Sequence, residues 1–156
     1  VSEAKQNKIF YKELDTTIYK PDTTAKDWLM GRGISEEVIK QFGIIFSTQS
    51  FNGSGELPSV GFPYKKQGIT YAIKWRSASD EHKHFTQTKG GAKTFFNLPE
   101  KLNGQKKIII TEGELDVLSL ATAGIGFGDD EHNTLIQYNL YTTQDILKEY
   151  RQDYHH

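Results

Sequence analysis

Three acids, Glu112, Glu114 and Asp116, crowd into "TEGELDVLSLATAG" (111–124), directly after the apolar run "KKIIIT" (106–111). Glu112 and Asp116 are four positions apart. If residues 112–116 form the first turn of a helix, the two carboxylates share one side. Carboxylates held together at neutral pH repel, and a hard divalent cation such as Mg²⁺ relieves the repulsion. Mg²⁺ keeps several waters and commonly holds substrate phosphates as well. The chemistry that suits this pair is therefore metal-assisted work on phosphate. Gly113, between them, lets the backbone turn tightly and keeps side-chain bulk away from a ligand. A second reading needs no metal. Acids in the first turn of a helix are favoured by its dipole, by roughly 0.3–1 kcal/mol each.

A second group is cationic. In "YAIKWRSASDEHKHFTQTKGG" (71–91), Lys74 and Arg76 alternate along a predicted strand and face one side. Lys83 and Lys89 follow nearby. Together they form a groove suited to a sugar-phosphate backbone or to the triphosphate of a nucleotide. The competing reading is that lysines on an antiparallel sheet face water and guard its edges, and Lys65 and Lys66, in a turn, are read that way. Trp75 points oppositely and is read as core. His82 and His84 flank Lys83, but no third metal ligand of suitable type is close in sequence, so they are read as surface histidines. Arg32, between two glycines, either caps a helix end or contacts nucleic acid.

Charge separates the two groups. The net charge of -1 hides a basic stretch, 63–94, with seven Lys/Arg against two acids, and an acidic stretch, 112–156, with nine acids against two bases. Two electrostatic roles are one reading, and uneven solvation of two surfaces is the other. The 156 residues suit one domain or two small lobes. Hydrophobic residues make up 36% and the mean hydropathy is -0.60, yet 12% aromatics can supply a core. The absence of cysteine excludes disulfides, thiolate zinc sites and cysteine nucleophiles, and it fits a reducing compartment. No apolar run reaches the ~18 residues of a membrane span, and no signal peptide heads the chain.

The elements that must position these groups are α+β in class. Residues 1–21 form a polar lead-in, with "KIFYKEL" as a short strand or helix start. "DTTAKDWLMGRG" predicts a helix, with N-caps among Asp22 to Thr24 and glycines ending it. "ISEEVIKQFG" predicts a second, with Ser35 as N-cap, two glutamates in the first turn and Gly43 at its end. "SFNGSGELP" is a break. "SVGFPY", "ITYAIKW" and "HFTQT" then read as an antiparallel meander, with "TFFNL" as a further strand. "KKIIIT" reads as a strand buried on both faces of a parallel sheet, and "ELDVLSLATAG" as a helix packed on it. The expected order is a helical hairpin, a basic β-meander and the start of an α/β lobe.

An apolar strand, Glu-Gly-x-x-Asp and an apolar helix resemble the first motif of the TOPRIM domain. The form "TEGELDVLSLATAG" is especially similar to phage primase-helicases and Twinkle-type helicases. Upstream, "WLMGRGISEEVIKQFGI" (28–44) resembles the helical entry of the bacterial and phage-type DNA primase polymerase core. "VGFPYKKQGITYAIKWRSASDEHKHFTQTKGGAKTFFNL" (60–98) resembles the basic subdomain that follows it. The blocks occur in the family's order and span about residues 24 to 124. The resemblance implies a primase N-terminal basic subdomain over 1–104 and a partial or shortened TOPRIM-like subdomain over 105–156. It implies RNA primer synthesis with Mg²⁺, a single-stranded DNA template and ribonucleoside triphosphates. Glu112 would be metal ligand or general base and Asp116 a metal ligand. Lys74 and Arg76, then Lys83 and Lys89, would face template and nucleotide. A helicase domain or subunit is an implied partner, and a bacterial or phage-infected cytoplasm, or a mitochondrion, the implied setting.

The resemblance fails at one place. The family completes its metal site with an Asp-x-Asp pair on a later strand. Asp129, Asp130 and Glu131 are adjacent, not alternate, and come only 17 to 19 positions after Glu112. On a strand, neighbours face opposite ways, so that role is not carried onto them. "TTQDILKEYRQDY" predicts a C-terminal helix outside the family pattern. No Walker loop is present and no template-reading zinc module can be, given zero cysteines. Two further functions therefore stand beside primer synthesis: a non-catalytic single-stranded nucleic-acid-binding module with a degenerate TOPRIM site, and a TOPRIM nuclease.

Overall fold

The structure, a computed structural model, describes residues 12–89, 94–97, 107–125 and 133–137. The chain separates into two compact units, Val1–Ala92 and Lys93–His156.

The first unit opens with a 3-10 turn, Thr16–Ile18, capped by the Asp15 carboxylate, which accepts from Thr17 N. Helix α1, Thr23–Gly31, starts where the Asp22 carboxylate accepts from Ala25 N at 2.9 Å. It buries Ala25 and Leu29, one turn apart. Helix α2, Glu36–Phe42, starts where the Ser35 hydroxyl accepts from Val38 N, with Glu36 and Glu37 in its first turn. It stops at Gly43, whose φ of 65° is the left-handed conformation that a helix end of this type requires. The helical hairpin is as the sequence predicts.

A four-stranded antiparallel sheet follows: β1 Ile45–Ser50, β2 Glu56–Lys66, β3 Ile69–Ser77 and β4 Phe85–Gln87, in that spatial order. The β2–β3 turn is the pair Gln67 and Gly68, both at positive φ (52° and 78°). That is the sign a two-residue hairpin loop needs to match the strand twist. Beyond strand β4 the Thr88 backbone N–H still donates to Ile73 O at 3.2 Å, while Ile73 N donates to the Thr88 side chain, Oγ1, at 2.9 Å. Helix α1 packs on β1 and β2.

The two faces of β3 have separate tasks. Ile73 and Trp75 join Phe51 in a core cluster, with Leu14, Tyr19, Ile45 and Leu57 packed against it. The Tyr19 ring meets Trp75 edge-on at 5.0 Å. Trp75 is thus core, as expected. Lys74 and Arg76 lie on the other face, where the Arg76 guanidinium reaches Trp28 of α1.

Strand β1 was not expected from the sequence. Its buried position is Ser47, while Ile45 and Phe46 are only half-buried. The apolar residues therefore do not alternate, and the period-2 signal is absent. Residues 94–97 of "TFFNL" hold a single isolated bridge, at Phe96, instead of the expected strand.

In the second unit, β5, Lys107–Thr111, runs parallel to β6, Asn133–Gln137. Helix α3, Glu114–Thr122, joins this βαβ arrangement and contacts both strands. It buries Val117, Leu118 and Ala121. The expected strand and helix are present, with one correction: β5 is not covered on both faces, because Ile110 is 44% exposed. Among the described residues, one helix packs on these two strands, and one helix shields one face. Residues 129–131 and the expected C-terminal helix lie outside the described residues. Among the described residues, no helix is long and apolar enough to cross a membrane.

Candidate functional site

The acidic turn begins where β5 ends. Glu112 follows Thr111 directly and is exposed. Helix α3 starts two residues later, at Glu114, with Gly113 as its N-cap. Glu112 therefore precedes the first helical turn, and only Asp116 stands within it. Both carboxylates are exposed. Glu114, the acid between them, is 5% exposed. The sequence carries a signal for that difference: Glu114 precedes Val117, Leu118 and Ala121 by three, four and seven positions and so shares the buried face of the helix.

Gly113 has φ -144° and ψ 161°. That is extended backbone open to any residue, so the tight turn expected here is not what selects glycine. A Cβ at this position would come 3.7 Å from Asp116 Oδ2, an ordinary contact. The glycine leaves the side of the Asp116 carboxylate uncovered. Among the described residues, no three His, Cys, Asp or Glu side chains gather as a metal cluster. Glu112 and Asp116 nonetheless fit Mg²⁺ by donor type. They are exposed hard oxygens, and Mg²⁺ typically takes one or two carboxylates and leaves its remaining positions to water and phosphate.

The basic strand places Lys74 and Arg76 on the same face, as the alternation requires. Their shared neighbour is Phe85 of β4, which lies opposite Arg76 in the register. Lys74 Nζ stands 5.5 Å from the Phe85 ring centre and Arg76 Cζ 5.9 Å. Phe85 itself is 55% exposed. The two cations differ in setting, however. Lys74 is half-buried, whereas Arg76 is 5% exposed. The Arg76 guanidinium lies 4.8 Å from the Trp28 ring centre, and its Nε has no hydrogen-bond partner among the described residues. Burial, and then the nearby charge of Arg32, push the Arg76 pKa below its ordinary value; Asp80 opposes the shift. Lys83 and Lys89 are exposed, on either side of β4.

Arg32 answers the choice left open by sequence in part. Its backbone N–H caps α1 by donating to Trp28 O and Leu29 O. Its side chain stacks over Trp28 at 5.2 Å and pairs with Asp80 at 2.7 Å. Sequence reasoning read Trp28 only as part of the apolar edge of the first helix and did not single out Asp80. Trp28 had a readable signal, since it lies one helical turn before Arg32. Asp80 had none, because a 48-residue separation joins it to Arg32.

Two solved structures share this architecture. One is a DnaG primase catalytic domain bound to single-stranded DNA, matching at TM-score 0.61 with 19% identity over 94% of this chain and 62% of that one. The other is a DnaG catalytic core, at TM-score 0.55 with 18% identity over 85% of this chain and 56% of that one.

This chain has a primase-type fold.

The chain spans less than two thirds of the length of either DnaG structure. No protein-family model matches it. No curated protein matches it by sequence.

Proposed function

We propose that this chain is a DNA primase-type nucleotidyltransferase core, or a portion of one, that binds single-stranded DNA and ribonucleotides. The observation that carries this reading is the primase-type fold, matched over 94% of the chain. The Glu-Gly-x-x-Asp turn at the end of β5 and the cationic face of β3 supply the chemistry such a fold would use. Glu112 and Asp116 would hold Mg²⁺. When bound, that ion neutralises charge on nucleotide phosphates and acts as a Lewis acid. Half-buried Lys74, with the exposed Lys83 and Lys89, would attract phosphates by positive charge. Arg76 would add charge from a buried, fixed position, which restrains the face more than it grips a ligand.

Primer synthesis on single-stranded DNA with Mg²⁺ and ribonucleoside triphosphates tests the reading. Wild type makes primers, and Glu112→Ala lowers product by about 10²-fold or more. Equal product from both proteins overturns it. Salt-dependent DNA binding without synthesis, unchanged in Glu112→Ala, points instead to the non-catalytic binding module. Metal-dependent nicking of plasmid points to the nuclease.

A further inference from the structure

Arg32 and Arg76 share one indole. Trp28 carries Arg32 at 5.2 Å from the next turn of α1 and Arg76 at 4.8 Å from β3. Two guanidiniums gathered on one ring repel. Arg32 is accordingly one of the charges that depress the Arg76 pKa, and Asp80 is the acid that offsets it. The cluster is also short of acceptors. Arg76 Nε and Trp28 Nε1 are buried donors with no hydrogen-bond partner among the described residues. Buried donors are normally satisfied, so the arrangement suits an oxyanion.

Asp80 supplies an oxyanion to Arg32 from within the chain, while Arg76 Nε and Trp28 Nε1 stay without a partner among the described residues. Its carboxylate lies 2.7 Å from Arg32 Nη1, and both side chains are exposed, at 67% and 43%. The turn that presents it is internally tied. The Ser77 hydroxyl donates to His82 O and accepts from His84 N, and Ser79 Oγ accepts from Glu81 N and His82 N. An exposed ion pair is weak and easily exchanged.

We propose that Asp80 is a built-in placeholder: its carboxylate occupies Arg32, on the Trp28 platform shared with Arg76, until a phosphate oxyanion displaces it. The inference rests on the reading that this face takes nucleic acid or nucleotide. The competing carboxylate lowers phosphate affinity and leaves the arginine held in its binding geometry when no ligand is present.

Binding of a labelled oligo-dT and of ATP, each at low salt, tests this with Asp80→Asn and Glu81→Gln. The second variant removes the same charge one residue away. Asp80→Asn should tighten binding by about two- to fivefold, and Glu81→Gln should do clearly less. The gain should vanish when Asp80→Asn is placed on Arg32→Ala. A gain confined to oligo-dT assigns the site to backbone phosphate, and one confined to ATP assigns it to nucleotide phosphate. Equal gains from the two acidic variants, or a gain that survives Arg32→Ala, overturn the placeholder and leave the binding reading intact. Failure of both wild type and Asp80→Asn to bind either probe overturns both.

Discussion

The guanidinium of Arg76 stands 4.8 Å from the centre of the Trp28 ring, tying the basic strand β3 to helix α1. With 5% exposure, this arginine is part of the packing as much as part of the charge pattern. Its planar head lies against the rings of Trp28 and Phe85, so truncation removes contacts as well as a cation.

Arg76→Ala should therefore destabilise the fold by about 1–2 kcal/mol, the scale of a desolvated cation–π contact. Arg76→Met keeps length and drops the buried unpartnered donor, so it should lose less. Thermal unfolding of the three proteins checks the order. Equal melting temperatures for wild type and Arg76→Ala would show that the stack contributes nothing.

Lys74 should behave in the opposite way. It is half-buried, with its ammonium over an exposed ring. Lys74→Ala should leave stability within about 0.5 kcal/mol and weaken binding of single-stranded DNA. The slope of log affinity against log salt should flatten by about 0.7. A titration across salt concentrations measures this, and an unchanged slope would remove Lys74 from the interface.

Gly61 faces Trp75 across the β2–β3 ladder. A Cβ there would lie 2.8–3.0 Å from three carbons of the indole. A ring in a core cannot retreat freely, so Gly61→Ala should cost about 1–3 kcal/mol. The urea midpoint should fall, and the near-ultraviolet signal of the tryptophans should change with it.

The Lys26–Glu36 pair, 3.1 Å apart, bridges the two helices of the hairpin. The hydrogen bond and charge of Lys26 lower the Glu36 pKa, with Lys40 adding to the effect. A carboxyl whose folded pKa is depressed contributes fully above its ordinary value and loses that contribution as pH falls through the folded value. Glu36→Gln should thus differ from wild type at neutral pH and converge with it in acid. High salt should erase the difference, because the pair is exposed. Urea melts at the two pH values check the sign.

The helical hairpin was readable because its signals are local. Asp22, Ser35 and Gly43 each act within one turn of their own position, and the structure uses all three. The opposite faces of Trp75 and of Lys74 with Arg76 were readable because a strand alternates strictly. Strand β1 was not, since a serine fills its buried position. In the acidic turn, the apolar spacing of "ELDVLSLATAG" placed the helix start at Glu114, where α3 begins, so the alternative in which residues 112–116 form the first turn is not the one adopted: Glu112 lies before the helix and Asp116 within it.

Sequence alone determined the caps, the alternation and the chemical types of the candidate residues, because those depend on neighbours a few positions away. Tertiary structure alone decided that Arg76 is buried on Trp28 and that Asp80 meets Arg32. Those outcomes depend on which distant segments pack together, and burial, not residue type, sets whether a charge is a ligand for solvent partners or a fixed part of the core.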